Sequence, residues 1–135
     1  MYAIKTAVPD SQAHAWHFQA QKTMYGGKHI RTGDTVFVFA SENEGGKGLV
    51  AWGVVTAAEA TPRRAGIERQ TPRVSIRVEC KGSAKRPLGR KELGGFNDWS
   101  QADPQTELNF KFYRQATNKI VALSAEAAAF LRGCF

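Results

Sequence analysis

Two apolar runs, Val36-Phe37-Val38-Phe39-Ala40 and Leu49-Val50-Ala51-Trp52-Gly53-Val54-Val55, flank the polar stretch Glu42-Asn43-Glu44-Gly45-Gly46-Lys47-Gly48. Two strands around a short, glycine-bearing loop make a β-hairpin. The first run is apolar at every position, so both of its faces need cover, as in a closed or doubly covered sheet. Gly46-Lys47 also invites comparison with a phosphate-binding loop. That motif, G-x-x-x-x-G-K-[ST], needs glycine where Ser41 stands and a hydroxyl where Gly48 stands. The run after Gly48 reads as a strand rather than a helix, so the loop is a turn.

The rest of the chain supplies partners for this hairpin. Residues 2–7 read as a first strand. Pro9-Asp10-Ser11 then offers a stop and a helix N-cap, and Ala13, Trp16, Ala20 and Met24 recur three to four apart. That spacing predicts an amphipathic helix over 12–24, ended by Gly26-Gly27. From 73 to 81 the pattern has period two: Val74, Ile76, Val78 and Cys80 on one face, Arg73, Ser75, Arg77, Glu79 and Lys81 on the other. A loop at 82–87 leads to a short helical turn at 90–93. An irregular stretch comes next and carries Trp99. Leu108, Phe110 and Phe112 alternate with Asn109, Lys111 and Tyr113, which predicts a strand, and 120–123 returns it. Ser124 caps a last helix over 125–132 that Gly133 ends. About six strands and two or three helices, with no βαβ repeat, predict an α+β fold. It is a mostly antiparallel small barrel with helices at its ends, formed by residues 1–135 as one domain.

Charge is unevenly placed. Residues 63–91 hold ten basic and two acidic side chains, so this segment carries +8 and the remainder −1, for a net +7. Such asymmetry suggests a polyanionic partner, nucleic acid first. A solvated, solubilising face is the plainer alternative. No apolar run approaches a membrane span of roughly 18 residues, and the N-terminus lacks the apolar core of a secretion signal. Cys80 and Cys134 form no C-x-x-C, so two thiols in a reducing cytoplasm are expected.

Enzymatic signatures are weak. His14 and His17 stand three apart without the H-E-x-x-H pattern of a zinc helix. There is no G-x-S-x-G elbow, and the carboxylates are scattered. No metal or cofactor is implied. Aromatic residues in or near loops, Tyr25, Trp99 and Trp16 at the edge of the expected helix, suit base stacking instead.

The order of these segments resembles a known family. "YAIKTA", a helix, "GDTVFVFAS", a turn and "GLVAWGVVTAAE" resemble the EVE domain of the PUA-like superfamily, whose relatives include YTH and ASCH domains. The late "FYRQATNKIVALSAEAAAFL" resembles the family's closing pattern. The resemblance implies a pseudobarrel that binds nucleic acid, DNA or RNA, and accommodates a modified base in an aromatic-lined pocket. Matching pocket positions are Lys5 and Thr6, Tyr25 and Gly26, and Ser41 and Asn43. EVE proteins commonly carry a tryptophan and a longer segment after the first helix, where this chain has Met24-Tyr25-Gly26-Gly27. The base would lie against Tyr25 and Trp16 or Trp99, with Thr6, Ser41 and Asn43 hydrogen-bonding its edge. Phosphates would meet Arg73, Arg77, Lys81, Lys85 and Arg86, and Arg114 of the closing pattern would contact backbone or pocket. The alternative is a small ASCH-like hydrolase or RNA-processing enzyme using a polar pocket at Lys5 and Thr6. A basic adaptor without base selectivity is a third reading.

Overall fold

A computed structural model describes residues 1–67, 70–98, 100, 103–115 and 117–135. Its framework is a closed six-stranded barrel: β1 (Tyr2–Thr6), β2 (Ala15–Met24), β3 (Thr35–Ala40), β4 (Gly48–Ala60), β5 (Arg73–Ser83) and β6 (Lys119–Ala122). The strands close in the order β1-β3-β4-β5-β2-β6. The pairs β1–β3 and β2–β6 are parallel, and the other four are antiparallel. Among the described residues three α-helices accompany the barrel: α1 (Arg90–Leu93), α2 (Pro104–Phe112) and α3 (Ala125–Arg132).

Strand alternation divides the apolar residues into two cores. Ile4, Trp16, Phe18, Val36, Val38, Val55, Ile76, Val78 and Ile120 fill the barrel. The opposite faces of β1, β3 and β6 present Ala3, Phe37, Phe39 and Val121 outward, where Leu108, Phe112 and Leu131 of the helices cover them. The doubly apolar run at 36–40 is thereby accounted for: one face lines the barrel and the other lies under helices.

Two elements differ from expectation. The segment expected as a helix over 12–24 is strand β2. Trp16 and Phe18 point into the barrel, after which the register slips: Phe18 faces Ile76 but Gln21 faces Val74. Three steps on β2 thus match two on β5, a β-bulge. The extra residue sets Trp16 and Ala20 four apart and breaks the alternation that would have marked a strand. Ala20, within the bulge, has φ 47°. Its N–H donates to Ser75 Oγ at 2.9 Å, and its carbonyl accepts from Arg73 Nη1 at 2.7 Å.

The segment expected as a strand through Leu108, Phe110 and Phe112 is helix α2. Pro104 sits in its first turn, where a missing N–H costs nothing. Leu108 and Phe112, four apart, are fully buried against the barrel, and Phe39 and Phe112 rings meet at 5.0 Å. Leu108 and Phe112 satisfy period four as well as period two, and burial under the helical layer favours four. Glu107 joins the two longer helices. It accepts from the Ser124 hydroxyl, from Ser124 N at 3.0 Å and from Lys111 Nζ at 3.0 Å. Burial alone would raise this carboxyl, but those donors hold it below its ordinary value.

Between β2 and β3 the chain makes a short 3-10 turn, Gly27–His29. A Cβ on Gly27 would lie 2.1 Å from the Ile120 carbonyl oxygen, so only glycine lets this turn rest on β6. The hairpin of β4 and β5 is longer than the sequence suggests. β4 runs on to Ala60, paired with Val74.

Candidate functional site

The described parts of the segment between β4 and β5, 61–67 and 70–72, are tied to each other and to β2. The Gln70 side chain pairs with Arg64 as a neighbouring strand would: Oε1 accepts from Arg64 N at 3.0 Å and Nε2 donates to Arg64 O at 2.7 Å. Thr23 of β2 anchors the loop's far end, with its hydroxyl and N–H both donating to Pro72 O, at 2.7 and 3.1 Å. Between loop and bulge lies a cleft of about 800 Å³ lined by Lys22, Arg63, Arg64 and Arg73, with Thr61 and Thr71. A second hollow of about 630 Å³ shares Lys22, Arg63, Gln70, Thr71 and Pro72 and extends to Gln115 and Thr117. Among the described residues, neither lining contains a carboxylate or an aromatic ring.

A different cleft, of about 570 Å³, opens between α1 and α2. Phe96, Phe110 and Tyr113 wall it together with Arg90 and Arg114, and Asn97 and Asn109 add amides. Its rings are oriented by charge. Tyr113 OH donates to Glu42 Oε1 at 3.1 Å, while Arg90 N donates to Glu42 Oε2 at 2.6 Å. Arg90 Nη2 donates to Asn43 Oδ1 at 2.8 Å. Lys5 Nζ lies 5.0 Å and the Arg90 guanidinium 5.9 Å from the Tyr113 ring centroid. Burial and then the Glu42 carboxylate push the Tyr113 phenol far above its usual range, so it remains a neutral donor. Arg114 lies over Phe110 at 5.4 Å, and the exposed Tyr25 ring meets Phe110 at 5.7 Å.

The two clefts share no lining residue among the described ones, but sequence neighbours in the turn after α2 line each. Tyr113 and Arg114 face the aromatic cleft, and Gln115 and Thr117 the basic one. Two fully buried lysines hold this turn from the barrel side. Lys5 Nζ donates to Phe112 O at 2.8 Å and Lys119 Nζ to Gln115 O at 3.0 Å. Carbonyls at a helix C-terminus carry the negative end of its dipole and suit such cations. Burial lowers the pKa of Lys5, opposed by Glu42. Burial, then the charges of Lys5 and Lys22, lower Lys119 to about 8.

The sequence-derived site residues are distributed over these features rather than gathered into one pocket. Lys5 and Thr6 are adjacent on β1 and point to opposite faces. Lys5 lies under α2, whereas Thr6 lines the barrel mouth beside Trp16 and Phe18. Trp16, expected at a helix edge, is buried in the barrel, stacked on Phe18 at 6.1 Å, with Nε1 donating to Asp10 O at 2.9 Å. Ser41 is buried with its hydroxyl unpartnered among the described residues. Asn43 bonds Arg90 at the rim of the aromatic cleft. Gly26 adopts φ 86° next to Tyr25. Trp99 lies outside the described residues.

Of the expected phosphate contacts, Arg73 lines the basic cleft and Arg114 the aromatic one. Lys81 is paired with Glu79 at 3.0 Å. Arg77 is exposed opposite His17, and Lys85 and Arg86 are exposed near Cys134. These four line neither cleft. Sequence reasoning passed over Lys22, Tyr113, Phe110 and Arg90. Arg63 and Arg64 were legible as the head of the basic segment. Lys22 was not, because only the bulge brings it beside the loop.

No family model and no curated protein sequence matches the chain. Solved structures do. The DUF55 domain of human thymocyte nuclear protein 1 is similar at TM-score 0.64 and 13% identity, over 98% of this chain and 96% of that one. Human THYN1 protein in complex with DNA containing 5-methylcytosine is similar at TM-score 0.64 and 14% identity, over 98% and 95%. Rpa0253 from Rhodopseudomonas palustris is similar at TM-score 0.61 and 16% identity, over 98% and 90%. At such identities the likeness speaks to architecture, and over nearly the whole of each chain it shows that this protein is built as a PUA-like pseudobarrel, the fold of the DUF55 domain.

Proposed function

We propose that this chain is an EVE-like nucleic-acid-binding domain that reads a modified base in the aromatic cleft. The observation that carries this reading is that cleft's lining of three rings and two guanidinium groups, with Arg114 next in sequence to Gln115 of the basic hollow. A human protein of the same fold was solved with 5-methylcytosine DNA, which supports the choice of ligand. A base entering between Phe96, Phe110 and Tyr113 gains stacking of about 1–3 kcal/mol. An added methyl group gains about 0.8 kcal/mol when fully buried. Asn97 and the carbonyl oxygen of Asn109, whose amide nitrogen donates to Phe96 O at 3.1 Å, are available to meet its polar edge.

The test is a panel of short fluorescent oligonucleotides, DNA and RNA, plain or carrying a methylated or hydroxymethylated base. A tenfold preference for one modified member, about 1.4 kcal/mol, is expected, and Tyr25→Ala should erode the preference more than plain binding. Equal affinity for plain and modified members would sink the base reading. Absence of binding to every member would sink the nucleic-acid reading.

A further inference from the structure

The basic cleft has a chemistry of its own, apart from base reading. Its cations stand with hydroxyls and amides but no ring and no carboxylate among the described lining residues. That composition fits sugar and phosphate, not bases. Lys22 and Arg73 are directly opposed across the β2–β5 pair. Like charges in that position are destabilising, and an anion between them turns the repulsion into attraction. The described residues around the cleft are bonded to one another: Gln70 to Arg64, Thr23 to Pro72, and the Ala20 bulge to Ser75 and Arg73.

From this geometry we infer that the cleft under the β4–β5 loop is the track of a polynucleotide backbone. Its phosphates meet Lys22, Arg63 and Arg64 and pass Gln115 and Thr117 to deliver a base to the aromatic cleft. The inference rests on the nucleic-acid reading above and deepens it. It moves the phosphate contacts from the outer face of β5 to the loop cleft.

The test is the salt dependence of binding of a plain single-stranded oligonucleotide, followed by fluorescence anisotropy. Three proteins are compared: the parent, Lys22→Gln with Arg64→Gln, and Arg77→Gln with Lys81→Gln. Each single-strand phosphate contact contributes about 0.7 to the slope of log K against log salt. The loop-cleft pair should therefore flatten the slope by about 1.4 and weaken binding at least tenfold at low salt. The β5-face pair should leave the slope unchanged. A second probe, an abasic oligonucleotide, should show the same loss with the loop-cleft pair, because it keeps the phosphates and lacks the bases. Unaltered far-UV circular dichroism guards against misfolding. If the parent binds and the loop-cleft pair leaves the slope unchanged, or the β5-face pair flattens it instead, the track is refuted while the nucleic-acid reading stands. If the parent binds neither probe, both fail.

Discussion

Lys119 shows how much one residue's meaning depends on its surroundings. In sequence it is a lysine in a turn; in the fold it is a fully buried ammonium on the Gln115 carbonyl, across the strand pair from Lys5. Its pKa of about 8 lies below the ordinary 10.5. Between those values the unfolded chain keeps a proton that the folded protein has released, so stability rises with pH across the window. The penalty is fully present below pH 8. The unfolding free energy from urea titrations should rise by roughly 2–3 kcal/mol between pH 7.5 and 10 from Lys119, and Lys119→Met should reduce the rise, leaving the part that the buried Lys5 contributes. A flat profile in the parent would show that the ammonium is better solvated than its burial indicates. Above pH 10.5 the trend opposes this rise, because burial, Tyr113 foremost and Tyr2 with it, holds phenols protonated in the fold after the unfolded chain loses those protons.

At the scale of elements, legibility followed the regularity of the backbone. The alternation at 73–81 is β5, and the Ser124-capped stretch is α3 with the bounds the sequence suggests, Ala125–Arg132. β2 was misread because its bulge interrupts the period, and α2 because Leu108 and Phe112 fit two periods at once. The bulge makes a prediction of its own. Ala20 holds a left-handed φ that glycine adopts freely, so Ala20→Gly should raise stability by up to about 1 kcal/mol. Ser75→Ala, which orphans the Ala20 N–H, should lower it by about 1–2 kcal/mol. Chemical denaturation of both variants checks this; a destabilised glycine variant would mean that the Ala20 methyl packs more than the strain costs.

Over the whole molecule, the barrel and its helical layer share one wall. Phe39 on β3 and Phe112 on α2 are both fully buried and in ring contact, so the layer and the barrel should unfold together. Tryptophan fluorescence, which includes Trp16 inside the barrel, and far-UV circular dichroism should report one midpoint. Phe112→Ala should cost about 3–5 kcal/mol and move both probes alike. Separate midpoints would mean that the helices leave the barrel first.

The amino-acid sequence by itself determined the α+β class, the covered hairpin, the concentration of positive charge and the aromatic supply, because these depend on composition and local period. Tertiary structure alone decided which cations lie together. Arg73 and Lys22 meet because a bulge changes register, while Lys81 is neutralised by Glu79 two residues away. Tyr113 joined Arg90 and Glu42 through a helix that local alternation had disguised. A site made from separate segments of the chain depends on distances that no local pattern encodes.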